Sequence, residues 1–318
     1  MDSNKSVFNT ISTLIIFFYP FISLIGIITN SLSLVIFSRK RFKNTVFATY
    51  FRFLTLIDTF IVLLPINKFF ELYFNFYIEN QSNFFCKLRM FLPYSIKPNS
   101  QWIIVAISLD RFISISRPGK FLFRKKTGFQ VLACSFMFAF NLIYYSIGLT
   151  PYLMYNITYD NISNTTINSS KCFFDTPFLF LWMDFLNSAI LPFIFITILT
   201  ILTVKTIIVS RRRSTTTMII FKKNRKESSK FKDIKFTRIS IILNVLFLLF
   251  NVPFCLYALI NQYIFDSIDP YLDLLIYVIM LFFHYCNFTS VFFINILSNS
   301  IFRDEFFKLF KSRLIYKI

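Results

Sequence analysis

Asp110 and Arg111 stand side by side in Ser108-Leu109-Asp110-Arg111-Phe112, at the end of a long apolar stretch. A carboxylate and a guanidinium placed this way pair locally, which lowers the cost of holding both charges at a membrane face. A snorkelling arginine at the interface is the simpler alternative. Two further charges, Asp58 and Lys97, sit inside apolar stretches. A buried lysine needs a partner, and either Asp184 or an acidic group on a ligand would supply one. Tyr94, Gln101, Asn251 and His284 place more polar groups within such stretches. His284 is the sole histidine and reads first as a hydrogen-bonded core residue. Enzymatic machinery is missing: there is no Gly-x-Ser-x-Gly and no His-Glu-x-x-His. No catalysis and no metal cluster is therefore expected.

Charges in apolar surroundings need elements that shield them. The chain has 318 residues, of which 56% are hydrophobic and 15% charged. A soluble domain carries about a quarter charged residues, so this chain departs from that class. With 47 Phe and 4 Gly, disordered and collagen-like classes are excluded. Seven stretches reach the length of about 20 apolar residues that a membrane helix needs. They run over 14–38, 46–68, 84–110, 128–150, 177–204, 239–263 and 271–297. The first carries no charge and is too long for a signal-peptide core, so it reads as a retained helix. The expectation is an all-α membrane protein: residues 1–13 outside, a seven-transmembrane helix bundle over 14–300, and a short amphipathic helix and tail over 301–318. In that tail Phe302, Phe306, Leu309 and Phe310 share one helical face, which suits a helix lying on the membrane.

The formal net charge of +19 comes mostly from the loops at 39–44, 117–126 and 205–238 and from the tail. These lie on one side of the seven spans, while the opposite loops are near neutral or acidic. The positive-inside rule then puts the N-terminus outside and the tail in the cytoplasm. The basic loops also favour anionic inner-leaflet lipids. Their place between spans argues against nucleic-acid binding. Glycan acceptors agree: Asn4, Asn80, Asn156, Asn161, Asn164 and Asn168 all fall in segments assigned outside. A seventh sequon, at Asn287, lies within a span. Cys86 and Cys172 both face the oxidising side, where a disulfide would form; two free thiols is the alternative. Cys134, Cys255 and Cys286 fall within spans and read as small apolar residues.

Cys86, Asp110-Arg111 and Pro118 together resemble the third helix of rhodopsin-like G protein-coupled receptors. The resemblance covers about 14–311. Gly26-x-x-x-Asn30, Leu54-x-x-x-Asp58 and Pro192 are similar to family patterns in the first, second and fifth helices. Phe247-x-x-x-Asn251-x-Pro253 resembles the sixth-helix motif, with Asn for Trp. The resemblance implies a Cys86–Cys172 bridge. It also implies a coupling role for Arg111, paired with Asp110 and held inactive by Asp233, and a hinge at Phe247 and Pro253. Asp58, Ser100 and Asn287 match three positions of the family's sodium pocket, while Val291 at the fourth brings no oxygen. No other cofactor is implied. The seventh-helix Asn-Pro-x-x-Tyr reads Val291-Phe292-Phe293-Ile294-Asn295, and the fifth-helix Tyr position is Thr200.

The resemblance also implies an extracellular ligand, a heterotrimeric G protein partner and a place in the plasma membrane. Pro93 replaces the acid of amine receptors, and Tyr285 the retinal lysine of opsins. Pocket candidates are Tyr94, Lys97, Gln101, Asp184, Asn251 and His284. The long outer loop 152–176 resembles the hairpin lid of peptide receptors. Acidic residues around the mouth favour a basic or amidated peptide. Two readings compete. A scavenger or decoy that binds without signalling is raised by the altered seventh helix. A transporter or channel is disfavoured, since there is no internal repeat and the span count is odd.

Overall fold

Each apolar stretch forms a helix in the computed structural model of the chain. The structure describes residues 2–43, 45–74, 76–78, 82–116, 126–149, 153–160, 167–174, 178–217, 226–264 and 269–315, and the side chains of fewer of these. The first crossing is α1 (Asp2–Phe37), followed by a loop turn, α2 (Lys40–Lys43). The second is α3 (Val46–Leu63) continued by α4 (Ile66–Phe74). Pro65 separates the two because it lacks the N–H that would carry the helix on. The third and fourth are α5 (Asn83–Ser116) and α6 (Thr127–Leu149). The fifth is α7 (Phe178–Phe185), a π-helical turn at Leu186–Ile190 and α8 (Leu191–Thr217). The sixth and seventh are α9 (Lys226–Ile264) and α10 (Pro270–Ser298), and α11 (Ser300–Ile315) follows.

The outer loop forms the hairpin that the resemblance implied: β1 (Leu153–Asp160) and β2 (Ile167–Phe174) pair antiparallel, with Tyr155 opposite Cys172. Alternating Thr, Ile and Tyr positions favour this pairing over a helix. In addition, α1 begins at Asp2 rather than near 14, since no Gly or Pro interrupts the segment before the apolar run. Among the described residues, five helices are long and apolar enough to cross a membrane by themselves. The crossing formed by α3 and α4 and the polar α5 complete the bundle of seven.

The bundle is inside-out relative to a soluble protein. Phe17, Leu132, Phe136 and Leu297 are among its most exposed side chains. Asn30, Asp58, Asn99, Ser100, Asn141 and Asn287 are buried. Lipid solvates the first set, and only the interior can satisfy the second. Near the inner end Phe37 packs on Phe42, Phe47, Phe51 and Phe302. Near the outer end Tyr94, Tyr145 and Phe180 form a second aromatic cluster. Arg52, charged inside the second stretch, donates from Nε and Nη2 to the Phe37 carbonyl at 2.9 and 2.7 Å. It thereby caps the end of α1, where a carbonyl has no helical partner.

The apolar face of α11 does not lie on lipid alone. Phe302 is fully buried against Phe37 and Phe292, and Phe306 also meets Phe292. Leu309 packs on the same core, and the Phe310 side chain lies outside the described residues. The helix is pinned electrostatically as well, by Glu305 to Arg39 at 3.0 Å and to Arg41 at 3.6 Å, while Lys308 on the same helix pairs with Glu305 at 3.1 Å.

Candidate functional site

An outer cavity of about 520 Å³ opens between the helices. All six pocket candidates line it: Tyr94, Lys97 and Gln101 from α5, Asp184 from α7, Asn251 from α9 and His284 from α10. Successive turns of α5 supply the first three, on one face. The expected ion pair between Lys97 and Asp184 does not form. No described carboxylate lies within 4 Å of Lys97; its Nζ sits 5.6 Å from the centre of the Tyr285 ring. Asp184 Oδ1 instead accepts the Tyr145 hydroxyl at 2.7 Å. Tyr145 comes from α6 and reaches Asp184 first, because it stands beside α7 while Lys97 points across the cavity.

His284 also departs from expectation. It is 4% exposed, yet neither ring nitrogen has a hydrogen-bond partner among the described residues. Its ring stacks on Phe254 at 4.6 Å and meets Phe288 edge-on. Asn251 is 1% exposed, and both atoms of its amide group are likewise without a partner.

Beside the cavity runs a polar chain that sequence reasoning missed. Trp102 Nε1 donates to Asn187 Oδ1 at 3.0 Å, Asn187 Nδ2 to Asn141 Oδ1 at 2.8 Å, and Asn141 Nδ2 to Asn99 Oδ1 at 3.0 Å. It joins α5, α6 and the π-helical turn that carries Asn187. The signal available in the sequence was three asparagines in apolar stretches, each needing a partner away from water.

Midway down, Ser100 Oγ donates to Asp58 Oδ1 at 2.6 Å, and both residues are buried. Asn287 is buried in α10, and Val291, one turn further on, is buried without contributing an oxygen. A carboxylate and a hydroxyl form part of the hard oxygen set a sodium ion takes. With Val291 in the fourth place, the residues present fall short of the full set. Among the described residues no group of three His, Cys, Asp or Glu side chains converges on a metal site.

At the inner end, Arg111 Nη2 pairs with Asp110 Oδ2 at 2.6 Å, with both side chains buried. The Arg111 guanidinium also lies 5.8 Å from the Phe47 ring centre. Asp233 belongs to α9, but its side chain lies outside the described residues. Phe247 is fully buried in α9, and Pro253 sits within the same helix. A second unforeseen cluster lies above Arg111. Ser108 Oγ donates to Asn244 Oδ1 at 3.1 Å, and Asn244 Nδ2 to Thr200 Oγ1 at 2.6 Å, tying α5, α8 and α9.

Cys86 is buried and disulfide-bonded. Cys172 lies on β2, with its side chain outside the described residues. Cys134, Cys255 and Cys286 are free. Of the glycan acceptors, Asn4, Asn156 and Asn168 have a described backbone only; Asn80, Asn161 and Asn164 lie outside the described residues.

Comparison with known proteins places this geometry. A 121-residue segment is 31% identical to the N-arachidonyl glycine receptors of Rattus norvegicus and Mus musculus. That segment is 37% of this chain and 35% of each relative, so the match spans about a third of those proteins. The family model for the 7 transmembrane receptor (rhodopsin family) matches residues 29–295. That range includes the second to sixth crossings, the end of the first and nearly all of the seventh, together with the buried Asp110–Arg111 pair and the six pocket candidates. The chain is a multi-pass membrane protein and belongs to the rhodopsin family of seven-transmembrane receptors.

Proposed function

We propose that this receptor sits in the plasma membrane with its N-terminus outside, and passes ligand binding in the outer cavity to a heterotrimeric G protein at its cytoplasmic face. The observation that carries this is the pairing of two sites in one bundle. A cavity with partnerless polar groups lies at one end of α5, and the buried Asp110–Arg111 ion pair at the other. Ligand binding shifts the bundle's equilibrium by its differential affinity for two arrangements. Movement of α9 about Pro253 opens the inner face and frees Arg111 from Asp110. Asp233 would add a second acid to hold Arg111 at rest. The Cys86–Cys172 bridge would tie β2 over the cavity.

A peptide ligand is favoured by the β1–β2 hairpin beside the mouth. A second reading follows from the relatives, whose name specifies an acyl amino acid, and from the aromatic lining of the cavity. The test is G protein activation in cells expressing the chain, screened against a neuropeptide library and N-arachidonyl glycine. Arg111→Ala at matched surface expression should abolish any response. A response that survives Arg111→Ala sinks the coupling role. Binding without activation in the unmodified chain favours the decoy alternative.

A further inference from the structure

The outer cavity holds an imbalance that the receptor reading leaves unexplained. Three ionised side chains line it among the described residues: Lys97, Arg89 and Asp184. The single acid is already engaged by the Tyr145 hydroxyl. Among the described residues Lys97 has no carboxylate within ion-pair distance, and its Nζ lies over the face of Tyr285. His284 borders the same Tyr285 ring, at 5.8 Å between centres. Both His284 nitrogens, both Asn251 amide atoms and Gln101 Oε1 are buried at this cavity without a hydrogen-bond partner among the described residues. A buried polar group left unpaired costs stability, and a buried charge costs more. A binding site can carry such a cost when its ligand supplies the missing partners.

The donors on offer select the ligand's chemistry. Lys97 presents three N–H donors and a charge, Asn251 an NH₂ group, and neutral His284 one N–H. A carboxylate answers all of them, having two oxygens and a full negative charge. A cationic group would face Lys97 and meet an acid already hydrogen-bonded. A neutral amide would leave the lysine charge unpaired.

We propose, resting on the receptor reading above, that the ligand enters this cavity carboxylate first. Its oxygens pair with Lys97 Nζ and take hydrogen bonds from Asn251 and His284, while Tyr94, Tyr277 and Tyr285 wall its apolar part. This replaces the amidated end expected from the sequence with a free acid. The acid is either the C-terminus of a peptide or the head of an acyl amino acid.

The full-length receptor, purified in detergent, distinguishes the two sources. Thermal unfolding is followed with N-arachidonyl glycine against its primary amide, and with neuropeptides carrying free against amidated C-termini. The expected result is that free acids of one source stabilise the receptor and their amides bind roughly thirtyfold more weakly or worse. Lys97→Gln should lose the same factor, and Lys97→Arg should retain part of the binding. Amides that bind as well as acids, Lys97→Gln binding unchanged, or no free acid stabilising the unmodified receptor would each overturn the proposal. Lys97-dependent binding of a free acid without G protein activation in cells would uphold the carboxylate site and sink the coupling reading instead.

Discussion

A methyl group placed on Gly26 would meet the Val62 side chain at 2.8 Å, with the Val62 Cβ itself at 2.9 Å. Valine is stiff at χ1, so it cannot swing clear, and α1 would have to move away from α3. Overpacking of this kind costs about 1–3 kcal/mol. Gly26→Ala should therefore lower the thermal unfolding midpoint in detergent, whereas an alanine at Gly128, which has open space around it, should not. An unchanged midpoint would mean that the two helices tolerate a wider spacing. Gly26 was legible in the sequence as half of Gly26-x-x-x-Asn30, a pattern similar to one in the family's first helix, and its contact with Val62 was not. Lys97 was legible as a pocket candidate, with Asp184 or an acidic group on a ligand as its partner. Its sequence announced an intramembrane charge in need of a partner. Which acid stands nearest depends on how α5, α6 and α7 rotate about their axes, and residue spacing does not set that. Tyr145 took Asp184 for this reason, and Trp102, Asn141 and Asn187 joined in a chain that no motif described.

The α11 helix owes its place to a few groups at the element scale. Phe302 and Phe306 fix its apolar side, and Glu305 fixes its polar side to Arg39, with Lys308 of the same helix as a second partner. Burial opposes ionisation of Glu305. The hydrogen bonds from Lys308 and Arg39, with their charges, outweigh it and hold the carboxyl below its usual range. A depressed folded-state value means that the unfolded chain takes up the proton first. The contribution is thus complete above the ordinary glutamate value of about 4.3 and is lost as pH falls through the lower folded value. The protection of the α11 amides against hydrogen exchange, corrected for the intrinsic rate at each pH, should fall on acidification through that window, and Glu305→Gln should remove the pH dependence. Lys308 and Arg41 are well exposed, so salt screening should reduce the effect. Protection that is flat with pH in the unmodified protein would leave the aromatic face as the anchor. The amphipathic pattern of this helix was readable in the sequence, but its partner was not. A periodic apolar stripe says that a face is covered and leaves open whether by lipid or by Phe37 and Phe292. Helix ends were misread for a related reason. Hydropathy stops at the first charges, whereas Lys, Arg and Glu are good helix formers. α5 consequently runs past its apolar stretch at its C-terminal end, and α9 at its N-terminal end.

At the scale of the whole molecule, the inner halves of three helices meet at Asn244. It reaches Ser108 on α5 and Thr200 on α8 only while the inner half of α9 lies against both. Any outward swing of α9 about Pro253 must break both bonds, so they favour the closed arrangement. The seventh helix offers less give than its family's motif would. Val291 and Phe292 are buried where Asn and Pro stand in the family pattern, and no proline interrupts α10. The proposed rearrangement is then concentrated in α9, and the Asn244 cluster is a polar restraint on it. Side-chain hydrogen bonds inside membranes average about 0.6 kcal/mol, so two of them hold the closed state by roughly 1 kcal/mol. That amount shifts a two-state ratio about fivefold. Asn244→Ala should raise ligand-independent G protein activation by about that factor at equal surface expression. Thr200→Val, which removes one of the two bonds and keeps the shape of the side chain, should give a smaller rise in the same direction. Basal activity unchanged in both variants would place the restraint on α9 elsewhere, and lowered basal activity would mean that Asn244 holds the open arrangement instead.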